Sequence, residues 1–318
     1  MYYFIVNEAS GRGFARKAWQ EMKRDMSRAD VPFAAWTTRG AGDATALARA
    51  ASALPGEEIK LIVVGGDGTI NEVLNGITDF DRVALGVIPM GSGNDFARGL
   101  RLPRHPRQAM ARIHHSTGNR RIDLGRVQID GHAPRLFGIS SGVGLDARVC
   151  YEVDHSQEKT LLNHLGLGSL AYGIKTLSVV ATMDAAAGTV RFYSGKGMRE
   201  CDFERLLFLS TMNFPWEGGG VPIAPTASGE DGVFTVCMAS GYERVQAFTK
   251  LPLLALGRHR HLAGVEYLNA RRVELDLEAP LMVHADGEVP GAGRHIVFDI
   301  LPKKLRILMW RIYNLSAT

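Results

Sequence analysis

The stretch VVGGDGTINEVLNG, residues 63–76, decides the fold. Its two valines close an apolar run, KLIVVGG (60–66), that lacks polar alternation and so reads as a strand buried on both faces. Three glycines then surround one carboxylate, Asp67, and a helical pattern follows in INEVLNG. A carboxylate at that place does nothing for a core. Glycines there let backbone come close to another group. The helix start adds N–H groups and the positive end of a dipole, which together favour an anion.

The same scheme recurs outward from this stretch. YFIVN (3–7) reads as a strand, and apolar residues then fall at helical spacing at Phe14, Ala18, Trp19, Met22 and Met26. VPFAAWTT (31–38) is a second strand, and Asp43 can cap a helix through ATALARAASAL. VALGVIPMGSGNDFARGL (83–100) repeats strand, glycine turn and short helix. Such alternation predicts a parallel sheet covered by helices. Three small-residue turns, NEASGRG (7–13), GGDGT (65–69) and MGSGND (90–95), fall at the carboxyl ends of its strands. Open α/β sheets bind ligands there. Three convergent turns, each leading into a helix, argue for a ligand that bears phosphate. No G-x-x-x-x-G-K-[ST] occurs, nor a strand-linked G-x-G-x-x-G with an acid about 20 residues on, so the ordinary P-loop and Rossmann readings lose ground.

After about residue 120 the texture changes. RIDLGRVQI, RLFGISSGVG, TVRFYS, RLLFLSTMN, GVFTVCMAS, RVELDLEA, LMVHADGE and HIVFDIL are short strand candidates separated by turn residues. They predict antiparallel β structure arranged as a sandwich, with helices near 158–183 and 243–257. The run LRILMWRIYN (305–314) is expected to return to the first domain. The expected fold is therefore α/β plus β. An open α/β nucleotide-binding domain with the GGDGT turn spans 1–122, with 303–318 returning to it, and an antiparallel β-sandwich substrate domain spans 123–302.

Composition sets the bounds. The chain has 318 residues, which suits one large or two ordinary domains. Hydrophobic content of 46% and charged content of 22% are those of a globular protein. A net charge of +4 is mild and fits an anionic ligand or an anionic membrane surface. Cys150, Cys201 and Cys237 are odd in number and widely spaced, so neither a disulfide framework nor a zinc knuckle is expected. Reduced thiols and a start, MYYFIVN, without a basic segment point to the cytoplasm rather than secretion. The most apolar stretch, 165–183, is interrupted by Lys175 and reads as a buried or amphipathic helix.

GGDGTINEVLNG followed by LGVIPMGSGNDFAR (85–98) resembles the diacylglycerol kinase catalytic domain family, the bacterial lipid kinases related to sphingosine kinases. The resemblance runs along the chain. NEASG (7–11) matches the family's Asn-Pro-x-Ser-Gly turn, with Glu8 where Pro is usual. TTRGAGDA (37–44), IDLG (122–125), PTASGEDGVF (225–234) and HADGE (284–288) match further motifs in the right order. GGDG alone is unspecific, since NAD kinases and phosphofructokinases share it. The family's fold, a nucleotide domain followed by a β-sandwich, agrees with the reading above and makes the second domain the lipid-substrate domain.

The resemblance implies ATP and Mg²⁺ as cofactors and a lipid hydroxyl as acceptor. Asn7, Ser10, Gly11, Gly65, Gly66, Gly68 and Thr69 would meet the phosphates, and Thr38 and Ser92 would bind nucleotide through hydroxyl or backbone. Arg12 and Arg98 could neutralise phosphate charge. Asp67 could hold Mg²⁺, usually through water. Asp286 and Glu288 stand at i and i+2, which on a strand is one face. The family assigns the Glu of this motif as proton acceptor, which gives Glu288 as base, with Asp67 handling metal and phosphate and Asp286 supporting. Asp67 also stays a candidate base, because the matching Asp is discussed in that role among sphingosine kinase relatives. A structural magnesium is implied at Asp231, with the carbonyls of Ser228 and Val233. Expected partners are a diacylglycerol-like or related lipid and, transiently, the inner membrane face, with no nucleic acid; a homodimer stays open. The basic runs 101–115 and 303–311 could meet anionic headgroups. NAD kinase-like phosphorylation of a soluble dinucleotide and a non-catalytic, nucleotide-gated lipid-binding protein are the alternatives.

Overall fold

The computed structural model describes residues 1–116, 118–154, 176–182 and 186–309. The chain divides into two units, Met1–Asp123 with the residues from Lys303 on, and Leu124–Pro302.

In the first unit, strands β1 (Tyr2–Val6), β2 (Phe33–Thr37), β3 (Ile59–Gly65) and β4 (Val83–Pro89) pair in parallel in the order β2-β1-β3-β4. Helices α1 (Phe14–Arg28), α2 (Asp43–Ser52), α3 (Asp67–Gly76), α4 (Asp95–Gly99) and α5 (Pro106–His114) connect and follow them. Alternation along the strands sends Phe4, Val6, Ile62 and Val64 to one face, where Ala15, Ala18, Trp19, Met22 and Met26 of α1 and Ile113 of α5 cover them. The rings of Phe4 and Trp19 lie 4.9 Å apart. Ile5, Leu61 and Val63 are equally buried, on the opposite face, with α2 and α3 over them. This double cover explains why β3 shows no polar alternation. β1 has β2 on one side and β3 on the other, so successive connections leave in opposite directions. A crevice opens at such a switch point, beyond the carboxyl ends of β1 and β3.

The second unit holds β6 (Arg135–Phe137), β7 (Ser140–Gly144), α6 (Leu145–Asp154), β8 (Ala186–Ser194), β9 (Gly197–Met212), β10 (Phe234–Ser240), α7 (Arg244–Ala255), β11 (Val265–Ala270) and β12 (Arg272–Ala285). It also takes the larger parts of β5 (Asn119–Ile129) and β13 (Glu288–Leu308). Pairing here is antiparallel, in the order β11-β10-β9-β7-β12-β13, and β8 bridges β9 and β12. β9 and β12 are long enough to pair with β7 along one half and β8 along the other. Two layers thus share their long strands around a core of Val143, Val190, Phe192, Leu209, Phe234, Val273, Leu275 and Phe298. RVELDLEA and LMVHADGE, expected as two strands, form mainly one, with its register shift between Asp276 and Leu281. A bulge or bend leaves the same turn-like residues in sequence as a loop does.

The expected helix at 243–257 is α7. Of the one expected near 158–183, residues 176–182 are helical and the remainder lies outside the described residues. Arg306 and Ile307 of β13 pair in parallel with Ala84 and Leu85 of β4; residues 310–314 lie outside the described residues. The three cysteines form no disulfide, and burial, reinforced by Asp146 and Glu217, pushes the Cys237 thiol up to about 12. No helix among the described residues is long and apolar enough to cross a membrane.

Candidate active site

The three glycine turns of the first unit touch one another. The amide of Asn7 donates to Val64 O at 2.9 Å, and its side-chain Nδ2 donates to Thr69 Oγ1 at 3.0 Å. The end of β1 is thereby tied to the first turn of α3. The Met90 amide donates to Gly65 O at 2.8 Å, which ties β3 to the next turn. Gly66 and Gly91 meet backbone to backbone: a Cβ on Gly66 would lie 2.9 Å from the Gly91 Cα. Gly11 has φ of +60°, and a Cβ there would lie 2.6 Å from Met90 O. Glycine is therefore required at positions 11, 66 and 91 by close approach of main chain, not only by turn type.

Asp67 fastens the same assembly. Its carboxylate accepts the amides of Asp95 at 3.0 Å and Phe96 at 3.1 Å, at the start of α4. Asn94 closes the MGSGND turn by accepting the Gly91 amide at 2.8 Å, with a left-handed φ of +53° that Asn tolerates. Asp95 is buried and paired with Arg98, whose pKa is lowered by burial and by Arg104 while Asp67 pulls it up. Glu72, unassigned by the sequence reading, accepts the Gly42 and Ala44 amides at 2.9 and 3.1 Å and so docks the start of α2 on α3. Glu8, the odd residue of the first turn, is taken by Arg16 at 3.0 Å. Asn7, Ser10, Gly11, Thr38, Gly65, Gly66, Gly68, Thr69 and Ser92 all lie on or beside the carboxyl ends of β1–β4.

Gly66→Ala is expected to destabilise the protein by about 1–3 kcal/mol, because main chain cannot swing aside as a side-chain tip can. Gly40, which has nothing within 4 Å of its would-be Cβ, supplies the control. Thermal melts of Gly66→Ala and Gly40→Ala check this; equal melting temperatures would refute the close-approach argument.

In the second unit, Asp286 and Glu288 are not neighbours on a strand face. Asp286 (φ +54°) and Gly287 (φ +89°) form the two-residue turn between β12 and β13, and Glu288 pairs with Ala285 across it. An Asp-Gly turn between strands is a hairpin signal, and it overrides the i, i+2 strand argument. The Asp286 carboxylate accepts three amides, from Gly138 at 2.8 Å, Ile139 at 2.7 Å and Ser140 at 3.1 Å. It anchors the hairpin. Glu288, one residue past the turn, is exposed.

At the candidate magnesium loop, Asp231 Oδ1 accepts the Val233 amide at 3.2 Å around Gly232, whose φ is +74°. Asp231 and Ser228 are exposed. The donor set, one carboxylate and two carbonyls, is all oxygen and fits a hard cation such as Mg²⁺.

One cluster escaped sequence reading. His284, fully buried, has Nε2 at 3.3 Å from Asp146 Oδ2 and 3.1 Å from Glu217 Oε1. Ser210 donates its hydroxyl to the same Asp146 oxygen. Burial alone would lower the His284 pKa, but the two carboxylates outweigh it and raise it well above the ordinary imidazole value. Burial raises Asp146; it also pushes on Glu217, where His284 prevails and the net shift is downward. The HADGE motif displayed His284. Asp146 and Glu217 gave no signal, since they stand 138 and 67 residues away along the chain.

Comparison with known proteins agrees with this architecture. Residues 1–127 match the family model of the diacylglycerol kinase catalytic domain, and residues 139–309 match that of the YegS C-terminal NAD kinase beta sandwich-like domain. The chain is 33% identical over 290 residues to the diacylglycerol kinase of Bacillus subtilis (strain 168), covering 90% of this chain and 89% of that protein. It is 31% identical over 290 residues to the diacylglycerol kinase of Staphylococcus carnosus (strain TM300), covering 90% and 88%. Its fold is similar to the crystal structure of a diacylglycerol kinase from Bacillus anthracis str. Sterne, with a TM-score of 0.67 over 97% of this chain and 96% of that one, at 18% identity.

Proposed function

Because this chain belongs to the diacylglycerol kinase catalytic domain family and is a kinase, we propose that it transfers the γ-phosphate of ATP to the hydroxyl of a diacylglycerol-like lipid. The observation that carries this reading is the mutual contact of three glycine turns at the β1/β3 switch point. Phosphoryl transfer asks a protein mainly for positioning and charge neutralisation. Asn7, Ser10, Gly11, Gly65, Gly66, Gly68 and Thr69 supply the cradle for the phosphates, and Thr38 and Ser92 bind the nucleotide through hydroxyl or backbone. Asp67 holds the MGSGND turn against GGDGT through two amides and would hold a Mg²⁺ ion through water. Mg²⁺, when bound, neutralises charge on the phosphates. Glu288 accepts the proton of the lipid hydroxyl, and its exposure leaves it open to a substrate. Asp286 keeps the Glu288 hairpin in place. Asp231, with the carbonyls of Ser228 and Val233, holds a structural Mg²⁺. The enzyme meets its lipid by transient contact with the inner membrane face and is otherwise cytoplasmic.

The test is purified protein with γ-labelled ATP, Mg²⁺ and separate acceptors: diacylglycerol, phosphatidylglycerol, a sphingoid base, a polyprenol and NAD. Label should appear in a lipid and not in NAD. Unlabelled lipids throughout, while a diacylglycerol kinase run in parallel succeeds, would reject the proposal. Labelled dinucleotide would replace it with the NAD kinase-like reading. ATP binding without transfer to any acceptor would favour a non-catalytic, nucleotide-gated lipid binder.

A further inference from the structure

We infer that His284 is a positioning residue: its Nδ1 holds the Gly287 amide and thereby sets the hairpin that presents Glu288. The inference rests on the reading of Glu288 as base. Gly287 N lies 3.4 Å from His284 Nδ1, within reach of a long hydrogen bond. Gly287 has no side chain to fix it, so its amide is the handle by which the turn can be held. The hairpin is then pinned twice, by the Asp286 carboxylate on residues 138–140 and by the His284 ring on Gly287. Both ends of the ring are used. Above the His284 pKa, which the two carboxylates raise, Nδ1 is free to accept and the remaining ring proton sits on Nε2, between Asp146 Oδ2 at 3.3 Å and Glu217 Oε1 at 3.1 Å. That proton fills the place a metal ion would need. The cluster has few partners to spare: the nearby Ser140 hydroxyl helps hold the Glu217 pKa down, although neither Glu217 Oε2 nor Ser140 Oγ makes a well-formed hydrogen bond. Removing the Nε2 donor would leave further buried carboxylate atoms unpaired, which is destabilising. Removing the Nδ1 acceptor would free only one amide at the turn. The two nitrogens therefore serve two separable purposes, stability at Nε2 and placement of the base at Nδ1.

A pH dependence follows. The charged and titratable groups facing the ring are Asp146 on α6 and Glu217 after β9, with Cys237 on β10 beside both carboxylates. The two carboxylates favour a second ring proton, and that proton can go only to Nδ1, against the Gly287 N–H. Below the His284 pKa the hold on Gly287 is lost, and above it the hold is restored. The value of kcat should therefore rise with pH through an ionisation above the ordinary imidazole value.

The test uses the full chain and the substitutions His284→Gln and His284→Asn. The Gln amide nitrogen replaces Nε2 and keeps a donor for the carboxylates. The Asn carbonyl oxygen replaces Nδ1 and keeps an acceptor for Gly287. His284→Gln should melt near the wild type yet, at a pH above the wild-type step, lose about tenfold or more in kcat, with KM for ATP unchanged, since small misplacements of a catalytic group are expensive. His284→Asn should melt lower, keep kcat within about threefold and lose the pH step. Activity and stability would thus rank the two variants in opposite order. Activity that simply follows melting temperature would overturn the inference. So would Zn²⁺ or Mn²⁺ stabilising the wild type and neither variant, which would make the three residues a metal site. Should His284→Asn not fold, the pH profile decides: a step present in the wild type and absent in His284→Gln supports the inference, and a step kept in His284→Gln overturns it. An inactive wild type, or a fully active Glu288→Gln, would reject the functional reading instead.

Discussion

Glu288→Gln should lower kcat by roughly 10²–10⁴-fold while leaving the melting temperature unchanged. A positioned base takes the hydroxyl proton as the new P–O bond forms; an amide of the same shape cannot take it. Glu288 is exposed and sits just past the hairpin turn, where an amide of the same shape fits in solvent. Surface substitutions of this kind stay within about 0.5 kcal/mol of the wild type. KM for ATP should hold, because the proposed phosphate cradle lies in the turns around Asn7, Gly65 and Gly91. The comparison that matters is Asp67→Asn. That change disturbs the carboxylate that accepts the Asp95 and Phe96 amides. It should therefore raise KM for ATP and lower stability along with kcat. Steady-state kinetics and thermal melts of both variants settle the division of labour. Unaltered turnover in Glu288→Gln, together with a collapse in Asp67→Asn, would move the role of base to Asp67.

Asp286→Ala should cost about 3–5 kcal/mol of stability. One carboxylate accepts three amides there, at 2.7–3.1 Å. Each buried amide left without its acceptor costs at least about 1 kcal/mol, and the three amides would lose theirs together. Asp also tolerates the left-handed φ of +54° at this position, which Ala adopts at a penalty. For a unit of this size the melting temperature should fall by roughly 6–20 °C. Asp286→Asn should fall about half as far: its carbonyl can still serve Ile139 and Ser140, while its NH₂ would face the Gly138 amide. Calorimetry of the two variants checks both magnitude and order. A shift of Asp286→Ala within the error of the measurement would show that the amides find other partners and that Asp286 is no anchor.

The HADGE motif shows where sequence reasoning holds and where it stops. The Asp-Gly pair between two apolar runs is a hairpin by local chemistry alone. The i, i+2 strand reading of Asp286 and Glu288 overlooks that chemistry and places both carboxylates on one face. The structure separates them, one fastened to three amides and the other exposed. In the glycine turns the limit is different. Gly11, Gly66 and Gly91 look like turn residues in sequence, but their requirement comes from one another and from Met90, which only the packed sheet brings near.

The sequence by itself determined the alternation of strand and helix, the double burial of β3, the places of the three turns and the antiparallel texture after residue 120. These rest on periodicity, turn chemistry and helix starts, which act over a few residues. Tertiary structure alone decided that Asp67 would cap α4, that Asp286 would bind residues 138–140 and that Asp146, Glu217 and His284 would share one buried site. Those partners lie 28 to 148 residues apart along the chain. No local rule pairs residues at such separations, because their meeting depends on how burial of the whole apolar surface stacks the strands that carry them.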